Sequence, residues 1–265
     1  MNTIFDLKQG NTPVLLSLPH VGTHIPEPLR GQYVTRALAV EDTDWHLSEL
    51  YAFAQDLGVS IITPRVSRYV IDLNRPPDNT PMYPGAANTE LCPTRFFTGD
   101  ALYQAEASPD PEAVSARRNT YWQPYHTALT QELARIKAQH GFALLWDGHS
   151  IRSRLSWLFE GQLPDLNLGT ANGASCDPTL RAELSAVLQR QQDYTHAVDG
   201  RFKGGYITRH YGQPAVQVHA VQLEMCQRTY MHEHAPYAYD ARKAIEVQAV
   251  LQELFAVLLQ WRPTI

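Results

Sequence analysis

A single α/β domain is the fold this sequence predicts, with a three-layer, mixed and mostly parallel β-sheet flanked by helices, and three observations predict it. Short apolar runs of strand length alternate with longer segments whose apolar residues recur every three or four positions. Three of the runs lead into polar groups, at Leu18-Pro19-His20, Asp147-Gly148-His149-Ser150 and Val221-Gln222-Leu223-Glu224. These would stand at the C-terminal ends of strands, where open α/β sheets carry their sites. No linker-like stretch or internal repeat interrupts the 265 residues, so one domain over 1–265 is expected.

The elements follow in order. Val14 to Leu18, bounded by Pro13 and Pro19, reads as a buried strand, and His20 begins the loop after it. Glu41-Asp42-Thr43-Asp44 resembles a helix start, with Asp42 or Asp44 as cap ahead of Trp45, Leu47, Leu50, Tyr51 and Phe53, and Gly58 as the stop. Val59 to Ile62 and Tyr69 to Leu73 read as two more strands, the second ended by Asn74-Arg75-Pro76-Pro77. Residues 77–99, rich in Pro, Asn, Gly and Thr, form a surface loop over one mouth of the sheet. A helix is expected from Pro111 to about His140, kinked at Pro124 and closed by Gly141. Phe142 to Trp146 is the clearest buried strand, Asn167 to Ser175 a loop near the site, and Pro178 to Gln192 a helix. Ala215 to Met225 is strand-like, and Tyr239 to Trp261 is an amphipathic helix with Val247, Leu251, Leu254 and Leu258 on one face.

Composition narrows the function. Twenty-two basic and 27 acidic side chains give a net charge of −5 without a block of either sign, which argues against a nucleic-acid partner. The first residues lack a basic stretch followed by an apolar one, and no apolar run approaches the roughly 18 residues of a membrane span, so a cytoplasmic protein without a membrane partner is expected. Cys92, Cys176 and Cys226 are too scattered for a disulfide framework or thiolate cage and read as small buried hydrophobes.

The polar strand ends suit hydrolysis assisted by one divalent ion. A catalytic metal takes about three ligands from histidine and carboxylate and leaves a position for water. His20, His149 and one of the Asp42/Asp44 pair supply that set, with Asp44 preferred and Asp42 the alternative. Asp147 could orient His149 from behind, and His24 and His46 are spare imidazoles nearby. Zinc is the expected ion, although such ligands also accept cobalt, manganese or nickel. Val216, Val218, Ala220, Gln222 and Glu224 share one face of their strand, and a carboxylate in such a place is costly unless it is used or paired, for example with Arg228. As a general base Glu224 would move a proton from water to the departing nitrogen. Arg68, Arg75, Arg152, Arg154 and Arg209 recur beside these segments, and their forked donors suit a small substrate with two carboxylates.

Seven ordered motifs make the chain resemble the N-formylglutamate amidohydrolases of bacterial histidine degradation over nearly its full length. They are Ser17-Leu18-Pro19-His20-Val21-Gly22, Asp42-Thr43-Asp44-Trp45, Asp72-Leu73-Asn74-Arg75-Pro76, Asp147-Gly148-His149-Ser150, Gly169-Thr170-Ala171-Asn172-Gly173, Lys203-Gly204-Gly205-Tyr206-Ile207-Thr208-Arg209 and Leu223-Glu224-Met225. That family is similar in turn to the zinc carboxypeptidases. The resemblance implies cleavage of N-formyl-L-glutamate to formate and L-glutamate. It also implies His149 as a metal ligand, Glu224 as the catalytic glutamate, Asn74 and Arg75 as a grip on a substrate carboxylate, and Arg68 as the stabiliser of the oxyanion, with Arg152 and Arg209 as further clamps. The sequence departs from the carboxypeptidase His-x-x-Glu pattern because Thr23 stands where its glutamate would be, so the carboxylate ligand has to come from elsewhere. Two other readings stay open: a deacylase for another N-acylated acidic amino acid, and a non-catalytic protein that binds acidic amino acids.

Overall fold

The apolar runs assemble into one seven-stranded sheet in a computed structural model that describes residues 4–82 and 88–263. In chain order the strands are β1 (Phe5–Lys8), β2 (Val14–Ser17), β3 (Ser60–Pro64), β4 (Ala143–Ile151), β5 (Leu166–Gly169), β6 (His196–Val198) and β7 (Val218–Cys226). Their spatial order is β1-β3-β2-β4-β7-β5-β6. β3, β2, β4 and β7 run parallel at the centre, β1 and β5 pair antiparallel with the outer two of these, and β6 runs parallel to β5. The α-helices are α1 (Glu27–Arg30), α2 (Leu47–Leu50), α3 (Phe53–Asp56), α4 (Pro111–Arg117), α5 (Gln123–His140), α6 (Pro178–Arg190), α7 (Tyr206–Tyr211) and α8 (Ala241–Gln260). The expected three layers, helices on both faces of a mixed and mostly parallel sheet, are what the chain forms.

Both sheet faces are apolar because both are covered. On one, Leu16, Leu144, Trp146, Val221 and Leu223 pack under α2, α3, α6 and α8. On the other, Leu15, Ala143, Leu145 and Ala220 pack under α5 and α7. The two-residue alternation then carries the second face into the site, since Asp147 and His149 continue the row of Ala143 and Leu145, and Gln222 and Glu224 that of Ala220. The register sets His149 directly beside Glu224 and Asp147 beside Gln222. Gly148, which points to the opposite face, has no room for a side chain, because a Cβ there would stand 2.7 Å from Leu18 Cδ2.

Several elements differ from the sequence reading. Tyr69 to Leu73 is a buried loop, not a strand. Asp42 and Asp44 cap no helix: the segment forms the single turns α2 and α3, and the N-cap position of α2 is His46, in the left-handed region at φ 61°. The expected kink near Pro124 is a π-type turn over Arg118–Trp122, after which α5 starts afresh, since proline has no N–H to return to the preceding turn. β4 extends through Asp147-Gly148-His149-Ser150, so His149 lies within the strand. Leu166–Gly169 is strand β5 where a loop was expected from Asn167, and β7 starts at Val218, leaving Val216 in a short 3-10 turn. The loop expected over residues 77–99 lies partly outside the described residues.

Candidate active site

Two histidines and an aspartate from three separate segments converge at the C-terminal ends of the parallel strands. His20 follows β2, its carbonyl accepts the Asp44 N–H at 3.1 Å, and His149 comes from β4. Asp44 Oδ2 lies 3.2 Å from His149 Nδ1 and 3.7 Å from His20 Nδ1, and all three residues are buried. Ligand atoms from the three lie within 4.8 Å of one another, the spacing of a group able to hold one metal ion.

The far side of each imidazole is braced by a carboxylate. His20 Nε2 is 2.7 Å from Asp72 Oδ1, and His149 Nε2 is 3.1 Å from Asp147 Oδ2. With the Nε2 protons donated to those oxygens, both Nδ1 lone pairs face the centre, the arrangement that orients metal-bound histidines. His20 Nδ1 is buried without a hydrogen-bond partner among the described residues. Burial opposes a proton on His149, yet Asp147 and Asp44 outweigh it and raise its pKa well above the usual value. Burial likewise opposes the Asp44 charge, and His149 and His20 prevail and hold its carboxyl below the ordinary range. Two imidazoles and a carboxylate aimed at a point that favours positive charge fit a divalent ion.

Asp72, which the sequence reading quoted but gave no role, organises this centre. Oδ1 also accepts the Asn74 N–H at 2.9 Å, and Oδ2 accepts Arg68 Nη2 at 2.9 Å. Burial works against its charge, but His20, Arg75 and Arg68 keep its carboxyl well below the usual range. A carboxylate inside the apolar run Tyr69-Val70-Ile71-Asp72-Leu73 was the signal that could have found it, since such a group must be paired.

Glu224 lines the same cleft. Burial pushes its carboxyl up to about 8, against the pull of His149. Gln222 Nε2 donates to its Oε2 at 3.4 Å. Arg228, the partner expected of a purely structural Glu224, pairs instead with Asp165 at 2.6 Å. Arg68 also lines the cleft, reaching Asp44 Oδ1 at 3.4 Å with its guanidinium over the Phe97 ring.

The remaining expected residues divide. Asn74 and Arg75 line the cleft. Asn74 is engaged inward: its Oδ1 accepts the Ile207 N–H at 2.8 Å, and its Nδ2 lies 2.9 Å from His149 Nε2 and 3.3 Å from Asp147 Oδ2. Arg75 donates to the Thr89 carbonyl and hydroxyl and to the Asn74 carbonyl. Arg152 and Arg209 do not line the cleft. Asp42 Oδ1 holds Arg152 at 2.7 Å, while exposed Arg209 donates to the carbonyls of Gly204 and Met82. Asp42 itself accepts from Tyr69 Oη and the Phe97 N–H and stands outside the His20, Asp44 and His149 cluster, as do His24 and His46. Gly205 lines the cleft and packs so closely on Asn74 that a Cβ there would stand 2.4 Å from Asn74 Nδ2. The Gly169-to-Gly173 motif supports that segment from behind, with the Ala171 N–H on the Lys203 carbonyl at 2.7 Å. Arg201 and Phe202, absent from the sequence reading, also line the cleft.

A covered mixed sheet thus carries a metal-capable cluster at the C-terminal ends of its parallel strands. Residues 12–231 match the N-formylglutamate amidohydrolase family. N-formylglutamate deformylase of Pseudomonas aeruginosa is 50% identical over 261 residues, covering 98% of both chains, and the Pseudomonas putida protein of the same name is 48% identical, covering 98% of this chain and 97% of that one. The chain belongs to the N-formylglutamate amidohydrolase family. Its fold is similar to the crystal structure of N-formylglutamate amidohydrolase from Ralstonia eutropha, with a TM-score of 0.81 at 23% identity over 96% of this chain and 97% of that one. It is also similar to that of a protein from Agrobacterium tumefaciens, with a TM-score of 0.74 at 15% identity over 97% and 95%. Among the described residues no helix is long and apolar enough to cross a membrane.

Proposed function

We propose that the protein hydrolyses N-formyl-L-glutamate to formate and L-glutamate, a step of histidine degradation in the cytoplasm, with one divalent ion, zinc by expectation, held by His20, Asp44 and His149. The observation that carries this reading is the convergence of both Nδ1 atoms on Asp44 Oδ2 beside Glu224. The names of the two Pseudomonas relatives supply the substrate.

A bound divalent ion would supply Lewis acidity at the formyl oxygen, a water acidic enough to ionise near neutral pH, and positive charge that favours ionised Glu224. Glu224 removes the proton of the attacking water and delivers it to the glutamate nitrogen as the C–N bond breaks. Arg68, held by Asp72 and Asp44, presents fixed positive charge to the oxygen that becomes negative in the tetrahedral intermediate. Asn74 Nδ2 donates to Asp147 Oδ2 and so steadies the carboxylate behind the His149 ring, and Arg75 receives a substrate carboxylate.

The test is formate release from N-formyl-L-glutamate against acetate release from N-acetyl-L-glutamate, together with elemental analysis of the purified protein. We expect one equivalent of divalent metal, a kcat/KM on the formyl substrate above about 10⁴ M⁻¹ s⁻¹, and slower acetyl cleavage. Faster acetyl cleavage would mark a broader deacylase. Metal-free protein that binds L-glutamate without turnover would mark a binding protein.

A further inference from the structure

The cleft is lined by three guanidinium groups, those of Arg68, Arg75 and Arg201, and the geometry separates their tasks. Arg68 is committed to Asp72 and Asp44 at the reacting centre. Arg75 is bonded to neutral oxygens of Thr89 and Asn74, and it follows in the chain the residue whose amide touches His149. Such a place in the cleft suits the α-carboxylate, which shares a carbon with the scissile nitrogen. Arg201 comes from the loop between β6 and α7, and its Nη2 donates to the Leu158 carbonyl at 3.1 Å in the loop after β4.

Around Arg201 the cleft changes character. Ile151, Leu158 and Phe202 line it there and belong to an apolar cluster with Phe159 and Phe97. Ile151 is the end of β4, on the same pleat as His149 and, at the usual strand rise, roughly 7 Å further along. A glutamate side chain has the matching order of parts, with methylenes to lie against apolar side chains and a carboxylate beyond them.

We infer that Arg201 is the specificity residue of this site, binding the side-chain carboxylate of the substrate, with Ile151, Leu158 and Phe202 against its methylenes and Arg75 on the α-carboxylate. This rests on the reading under Proposed function and names how that site selects its amino acid. A guanidinium placed for a carboxylate favours it over a neutral isostere, because an amide cannot accept two charge-assisted hydrogen bonds from the guanidinium fork.

The experiment compares kcat/KM on N-formyl-L-glutamate and on N-formyl-L-glutamine for the metal-loaded wild type and for Arg201→Gln, Arg201→Lys and Arg75→Gln. The wild type should prefer the glutamate substrate by about 100-fold or more. Arg201→Gln should lower its turnover by about 100-fold while formylglutamine cleavage stays within about threefold, Arg201→Lys should restore part of the preference, and Arg75→Gln should depress both substrates alike. Formylglutamine turnover serves as the check that the variants are folded. A preference that survives in Arg201→Gln, equal loss on both substrates in both Arg201 variants, or a preference that collapses in Arg75→Gln instead would overturn the assignment. A wild type inactive on both substrates would overturn the deformylase reading, and the assignment with it.

Discussion

Asp44 and Glu224 are both buried carboxylates at the same centre, yet their surroundings drive them apart: two imidazoles keep Asp44 ionised, and burial holds Glu224 near neutrality at about 8. That contrast supports the proposed division into ligand and base. Glu224→Gln should keep its metal content and lose turnover on the order of a hundred- to ten-thousand-fold, read by elemental analysis and formate release on one sample. Near-normal turnover would remove Glu224 from the proton path. Asp72 acts at one remove, through His20 Nε2 and Arg68 Nη2. Asp72→Asn should weaken metal affinity by about 10- to 100-fold, and competition with a chromogenic chelator measures that directly; unchanged affinity would reduce Asp72 to scaffolding. His20, His149 and Glu224 were legible in the sequence because each follows or ends an apolar run, whereas Asp44 stood out only as one of the Asp42/Asp44 pair. Asp72 was hidden inside an apolar run, and Arg201 had no sequence signal, because its role depends on β6 and the loop after β4 meeting at one cleft.

At the scale of elements, Tyr69 to Asn74 shows why strand and loop could not be told apart. The run is as apolar as β2, but side chains rather than a neighbouring strand satisfy its carbonyls: Tyr33 Oη bonds the Tyr69 carbonyl, Arg117 that of Val70, and His126 Nε2 that of Leu73. Those donors lie far away in the chain, so periodicity carries no trace of them. By contrast β4, α6 and α8 were legible, because their burial follows their own repeat. His126 is neutral in this arrangement, as burial pushes its pKa down from 6.5 to about 3. Its Nδ1 lies 2.9 Å from Tyr211 Oη, so His126→Phe strands the Leu73 carbonyl, leaves Tyr211 Oη with the His126 carbonyl and the Thr130 hydroxyl, and should cost about 1–3 kcal/mol at pH 7. The sign of the pH effect follows from the depressed value. Between about 6.5 and 3 the unfolded chain binds a proton that the folded one does not, so this stabilisation is whole above about 6.5 and is lost as the pH falls. Urea titrations of wild type and variant at pH 7 and pH 5 should therefore show the gap between them shrinking by about 2 kcal/mol in the acid, as one and a half pKa units require. A constant gap would mean that the buried imidazole titrates normally.

At the scale of the whole molecule, the site depends on the sheet being assembled. His20 follows β2, Asp44 precedes α2, and His149 and Glu224 lie on adjacent strands of the central sheet, with Asp72 arriving from the buried loop. No two of the proposed ligands are near in sequence, so the unfolded chain has no comparable site and ion binding must favour the native state. At free metal about 100-fold above its dissociation constant that preference amounts to about 2.7 kcal/mol, which for a chain of this size raises Tm by roughly 5–10 °C. Removing the ion with a chelator should lower Tm by that amount, and restoring zinc should recover it. His149→Ala should lose the response together with its bound metal and activity, because one of the three converging donors is gone and the other two cannot hold the ion alone. The comparison within each protein, with and without metal, separates this effect from the intrinsic cost of the substitution. A variant that still gains several degrees on adding zinc would place the stabilising ion elsewhere, and a wild type indifferent to the chelator at matched pH would dissolve the link between assembly of the sheet and assembly of the metal centre.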